Sequence, residues 1–281
     1  MTVVANFKSY LQNMGYGKGT CRMLHDCVTD FLAHSGKEPR DTGPKEIESF
    51  HRYLQARPNK LRAGGLSERY IHHHLYALRT FFNWLEETGE IKENPISVMK
   101  FKRPERNTRQ PLTQSEIKQL FESCRNQKET ALLHLSYSCG LRRGEAVALD
   151  TRDIHFKQQV LYVRDGKGAK RRAVPMTRKV AGELEIHCPG AMGDKAFMTD
   201  QKGNRMSGKS LNRLLKKILE RTEIKKETTL HHLRHSIATH LLESGLGIES
   251  VRDFLGHGHL ETTQIYAKVH QYQLKKMNDG T

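Results

Sequence analysis

The sequence predicts a mainly α-helical chain with one small β-sheet, divided into two domains. Three observations carry that expectation. Apolar residues recur at helical spacing behind helix-capping residues, most clearly over positions 1–100. Two short β-compatible runs, 160–163 and 172–176, flank the Gly-rich turn RDGKGAKR. Between the halves, FKRPERNTRQP at 101–111 is polar, basic, proline-bounded and aperiodic, which is a linker signature. The expected organisation is a helical domain at 1–100, a basic linker at 101–111 and a second domain at 112–281 with a C-terminal tail.

In the first domain, residues 3–14 form a candidate helix. Thr20 is read as the cap of a second, striped by Leu24, Val28, Phe31 and Leu32 and closed by His34, Ser35 and Gly36. Pro44 suits the first turn of a third, with Ile47, Phe50 and Leu54 on one side and Pro58 beyond its end. Ser67 caps a long fourth helix, faced by Ile71, Leu75, Leu78, Phe82 and Leu85 and ended by Gly89. Lys8, Lys18, Arg22, Lys60, Arg62, Arg69 and Arg79 fall on the exposed sides. They suit a clamp on a duplex and equally a solvated charged face. The adjacent His72, His73 and His74 fan out around a helix and make a poor metal cage.

The second domain opens with a capping box, Thr113 and Glu116, ahead of Ile117, Leu120 and Phe121. Residues 130–139 are largely apolar and predict a core helix ended by Gly140. GLRRGEAVAL then places Arg142 just after a glycine stop, with Glu145 three residues on and near enough to orient its guanidinium. The strand pair displays Lys167 and Lys170 at or near its turn. Helices follow at 180–186 and 210–221, the latter with Arg213, Lys216, Lys217 and Arg221 as a basic face. Residues 229–266 then gather chemistry-bearing groups. His231 and Arg234 share a face at a helix start, His257 follows a short second helix in LGH, and Tyr266 follows a third short segment. A helix N-terminus is electropositive and has unpaired N–H groups, so an anion is welcome there. The remainder, 267–281, is a helix-compatible tail made amphipathic by Val269, Tyr272, Leu274 and Met277.

Bulk properties narrow the partner. The net charge is +16, spread over the whole length, so a polyanion is the natural ligand, nucleic acid before membrane surface. Five scattered cysteines without a C-x-x-C pair disfavour a disulfide framework or a zinc ribbon. No apolar run approaches the ~20 residues that span a bilayer, and the N-terminus lacks a signal-peptide pattern. A cytoplasmic, nucleoid-associated protein is expected. No Asp/Glu cluster of the kind that holds magnesium is present, so neither metal nor cofactor is expected.

In this order the pieces resemble the tyrosine recombinase (phage integrase) family, nearest to its two-domain Xer-type, phage and transposon members. They are GLRRGE with Arg142, GKGAK with Lys167, HHLRH with His231 and Arg234, LGH with His257, and TTQIY with Tyr266. The catalytic-domain resemblance spans about 111–266, and the helical first domain resembles the family's SAM-like core-binding domain more loosely. The resemblance implies a C-shaped clamp around double-stranded DNA. It also implies a homotetramer on two DNA sites, with room for a hetero-partner recombinase. It assigns catalysis to Arg142, Lys167, His231, Arg234, His257 and Tyr266, in preference to the neighbouring Arg143, Lys170, His232 and Tyr272. His231 and His235 lack the glutamate of a zinc H-E-x-x-H pair.

These residue types suit attack on a phosphodiester. Two arginines offer forked donors to the non-bridging oxygens, and His257 adds another. Tyr266 is the nucleophile, His231 a base or phosphate-positioning group, and Lys167 the acid for the leaving 5′-oxygen. The product, a 3′-phosphotyrosyl link with a free 5′-hydroxyl, reseals without ATP. A type IB topoisomerase shares this logic, and a catalytically silent DNA-binding regulator shares the scaffold. Small size, Xer-like motif wording and the lack of a long insertion favour recombination.

Overall fold

The structure, a computed structural model, describes residues 2–59, 63–102, 110–164, 172–188 and 195–256. Lys167, His257 and Tyr266 lie outside the described residues. So do Lys60, Arg62, Lys170, Tyr272, the rest of the tail, and 103–109 of the expected linker. The chain divides into two compact units, Met1–Asn107 and Thr108–Thr281. It is mainly helical with one small antiparallel sheet, and no helix among the described residues is long and apolar enough to cross a membrane.

In the first unit, α1 (Val3–Asn13), α2 (Lys18–Ser35), α3 (Pro44–Ala56) and α4 (Glu68–Glu87) pack around α4 and α2. The expected face of α4 is buried: Ile71, Leu75, Leu78, Phe82 and Leu85 all turn inward. Phe31 meets Phe50 and Phe82 edge-on, with ring centroids 5.2 and 6.0 Å apart, an arrangement that suits the ring quadrupoles. Ser67 caps α4 as expected, accepting from the Tyr70 N–H at 3.2 Å. The cap of α2 is a correction. It is Gly17, not Thr20, because the left-handed Gly15 turns the chain early and Gly17 already has the extended cap conformation. His74 is buried between the Tyr70 carbonyl (3.1 Å) and Asp30 (3.3 Å), and Asp30 also accepts from Arg57 at 2.7 Å. Lys8, Lys18, Arg22, Arg69 and Arg79 are exposed.

The second unit holds α5 (Gln114–Glu122), α6 (Gln127–Leu133), α7 (Arg143–Ala148), α8 (Arg178–His187), α9 (Gly208–Leu219), α10 (Leu230–Glu243) and α11 (Ile248–Leu255). Its sheet runs β1 (Ile154–His155), β2 (Val160–Val163), β3 (Arg172–Pro175), all antiparallel, with Leu161 opposite Val174 and Val163 opposite Arg172. β1 is additional to the expected pair; two residues are too few to show a period. The Thr113–Glu116 box closes reciprocally, at 3.2 and 2.7 Å. The expected helix at 130–139 is corrected at both ends. It starts at Gln127 because Asn126 accepts from the Glu129 N–H at 3.0 Å, and it ends in a π-helical turn, His134–Ser138. The Cys139 N–H reaches back to the His134 carbonyl at 2.8 Å, and left-handed Gly140 then stops the helix. Arg221 is also corrected. It leaves the basic face of α9 and pairs with buried Glu129 at 2.5 Å, while Arg213, Lys216 and Lys217 stay exposed. Leu132, Leu135, Leu211, Leu215, Leu233, Leu241 and Phe254 form the centre of the core. All five cysteines carry free thiols, and burial pushes the Cys139 thiol up to about 12.

Candidate active site

The site begins at Gly140, where φ is +57° and the chain turns out of the π-helical segment. An added Cβ there would sit 2.8 Å from Leu255 Cδ2, so only glycine lets α11 approach this closely. Two residues on, Arg142 occupies the extended N-cap of α7. Glu145, one turn into the helix, folds back over it. Its Oε2 accepts from the Arg142 backbone N–H at 2.7 Å and its Oε1 from Arg142 Nη1 at 2.8 Å. The pose anticipated from the three-residue spacing is therefore present.

Arg234 arrives from the first turns of α10. It donates to the carbonyls of Gly140 and Leu255, and its Nη1 lies 3.6 Å from Glu145 Oε2. The last carbonyls of α11 thus face cations, as the negative end of a helix favours. Leu255 receives Arg234, and Gly256 receives Arg142 Nη2 at 3.3 Å. Arg142 and Arg234, 92 positions apart, meet around one carboxylate. Their exposures differ sharply: the Arg142 side chain is 41% exposed and that of Arg234 only 4%.

His231 is exposed on the first turn of α10, three residues before Arg234. Its neighbour His232 is occupied otherwise. His232 Nδ1 accepts from the N–H of the N-cap residue Thr229 at 3.0 Å and lies 2.9 Å from Thr229 Oγ1. Arg143, beside Arg142, lies over Gly208, where an added Cβ would be 3.0 Å from its Cδ.

Sequence reasoning took Arg172 only as a strand residue. In the structure it grips Glu145 with both terminal nitrogens, Nη1 to Oε1 at 2.9 Å and Nη2 to Oε2 at 3.0 Å. A signal was available. Arg172 shares a strand face with buried Val174, and an arginine on an inward face needs a carboxylate partner.

Three guanidiniums therefore crowd one carboxylate, leaving an excess of two positive charges. Burial alone would raise the Glu145 pKa, but hydrogen bonds and charge from Arg172 and Arg142 outweigh it and hold the carboxyl at about 2. Burial, then the nearby charges of Arg142 and Arg172, bring Arg234 down to about 10 against the opposing pull of Glu145. Such a site favours an anion that touches the exposed Arg142 and offsets the crowding.

Comparison with known proteins identifies the family of the chain. The model of the phage integrase family matches residues 110–272. A tyrosine recombinase of Pseudothermotoga lettingae is 34% identical over 243 residues, covering 85% of this chain and 82% of that protein. The tyrosine recombinase XerA of Pyrococcus furiosus is 34% identical over 282 residues, covering 98% of this chain and 92% of that protein. Among solved structures, a lambda integrase dimer bound to a COC′ core site superposes with a TM-score of 0.70. It is 15% identical, over 92% of this chain and 98% of that one. The Tn1549 transposon integrase in complex with circular intermediate DNA gives 0.68 at 20% identity, over 95% of both chains. At those identities the structural likeness is one of fold.

Proposed function

The chain belongs to the phage integrase family, the tyrosine recombinases, and is Xer-like within it; from that premise we propose that it is a site-specific DNA recombinase or integrase. It breaks and rejoins duplex DNA through a 3′-phosphotyrosyl intermediate. The observation that carries this reading is the excess of guanidinium charge around Glu145 with Arg142 open to solvent. A backbone phosphate is an anion of the right size and geometry for a forked donor pair.

In this reading Arg142 and Arg234 stabilise the charge that builds on the non-bridging oxygens during attack. Tyr266 Oη forms the new bond to phosphorus as the bond to the 5′-oxygen breaks. Lys167 delivers a proton to that oxygen, and the phenolic proton passes to His231 or to solvent. His257 donates a further hydrogen bond to the phosphate. Resealing is the same sequence reversed from a 5′-hydroxyl. The phosphoryl bond energy stays in the tyrosyl ester, and the guanidiniums do the work that a divalent cation does elsewhere. The two units close as a clamp around the duplex, and four copies act on two sites.

Covalent capture tests the proposal. The full chain is mixed with nicked duplexes of randomised sequence, and the DNA that stays attached in detergent is recovered. A Tyr266-dependent adduct, absent from Tyr266→Phe, is expected. A chain that captures nothing would be a DNA-binding regulator instead. Efficient relaxation of supercoiled plasmid lacking any captured site would point to a topoisomerase.

A further inference from the structure

We propose that Arg172 is a positioning residue for strand cleavage: acting through Glu145 it sets the pose of Arg142, and it braces the end of α11 at Gly256. The inference rests on the functional reading above and deepens it.

Both terminal nitrogens of Arg172 are committed to Glu145, and its buried Nε has no partner among the described residues. The side chain is only 16% exposed. A guanidinium spent in this way does not reach for a phosphate; it acts on the carboxylate. Each Glu145 oxygen is shared. Oε1 takes Nη1 of both Arg142 and Arg172, while Oε2 takes the Arg142 backbone N–H and Arg172 Nη2. The rigid fork of Arg172 therefore fixes the carboxylate plane, and that plane decides where the Arg142 guanidinium points. Without the fork, Glu145 would keep the local contacts of a partly exposed neighbour and a longer 3.6 Å ion pair with Arg234, neither of which fixes the carboxylate plane as a bidentate fork does.

A third cation beside Arg142 and Arg234 adds repulsion, so its place there needs a compensating role. The second contact supplies part of one. Gly256 has φ +75°, and an added Cβ would lie 2.8 Å from both Cδ and Nη1 of Arg172. Arg172 thus lies against the backbone whose carbonyl receives Arg142 Nη2. One side chain supports Arg142 from two directions.

The test uses the full chain and a nicked duplex captured from the random-sequence pool by the wild type. Single-turnover cleavage and duplex affinity are measured for R172M, R172K, E145Q and R172M/E145Q. We expect R172M to cleave about a hundredfold more slowly, the scale of a small misplacement, with affinity nearly unchanged. R172K keeps the charge but not the fork, and should not restore the rate. The double variant should lose no more than the worse single, because both changes remove one unit. The pH profile supplies the reading that a merely structural role would not move. Freed from Arg172, the Glu145 pKa rises toward its ordinary value, so cleavage by R172M should fall at a higher pH on the acid side than cleavage by the wild type. Wild-type cleavage by R172M, or single losses that multiply in the double variant, would overturn the proposal. If R172M does not fold, R172K decides alone, and an unaltered rate overturns it. If the wild type forms no Tyr266-dependent adduct, the functional reading fails and this inference with it, an outcome distinct from normal cleavage by the Arg172 variants.

Discussion

Arg142 and Arg234 look alike in the sequence and differ in what surrounds them. Arg142 is partly open and leans on its own helix, whereas Arg234 is buried and holds two backbone carbonyls from distant segments. Arg142→Ala should therefore leave folding and duplex affinity nearly intact and lower cleavage by about a hundredfold to a thousandfold. Arg234→Ala should also cost about 2–4 kcal/mol of stability, since the carbonyls of Gly140 and Leu255 lose their donor. Urea unfolding beside single-turnover cleavage separates the two. An equal loss of stability in both variants would contradict the assignment. At this scale the sequence showed the local pair Arg142–Glu145, because three-residue spacing on a helix places side chains together. Arg172 stayed hidden because its partner lies 27 positions away and nothing local joins a strand to a helix cap.

At the scale of elements, the site depends on α11 lying close to the turn after the π-helical segment. Gly140 makes that approach possible through its left-handed backbone and its lack of a side chain. Gly140→Ala should cost about 2 kcal/mol or more, from the unfavourable φ and from a methyl group driven against Leu255 and Phe254. A lowered thermal midpoint with weakened cleavage is expected, and an unchanged midpoint would show that α11 need not pack so tightly. Helix existence was legible throughout, because apolar stripes on α4 and polar caps such as Ser67 and Thr113 are local signals. Starting points were less so. Gly17 caps α2 because of the turn that precedes it, so a good cap residue such as Thr20 was overridden, whereas Asn126 caps α6 through its own side chain, a local signal that the apolar run 130–139 overshadowed. The π-helical turn left no pattern either, since one wider turn does not disturb an apolar run.

For the whole molecule, the charge of +16 is the quantity to test. Each phosphate that a lysine or arginine neutralises releases counterion, so affinity falls steeply with salt. If the two units close on a duplex as proposed, with several phosphate contacts, affinity should drop by about a thousandfold or more between roughly 50 and 200 mM salt. Fluorescence anisotropy of a labelled duplex measures it, and a flat response would contradict the clamp. The family was legible from five short motifs in order, because each gathers residue types that phosphodiester chemistry requires. The order of the chain also placed Lys167, His257 and Tyr266 in the same scheme, although their positions were readable only from the motifs around them.

Arg234 has a consequence of its own. Because it ties together the strand-breaking machinery and the inner framework, it is not at liberty to drift once cutting is no longer needed. A descendant kept only for gripping DNA would shed Tyr266 or Arg142 first and keep Arg234 as a rivet. An intact arginine at that position is therefore poor testimony of living catalysis; the solvent-facing one is the better witness.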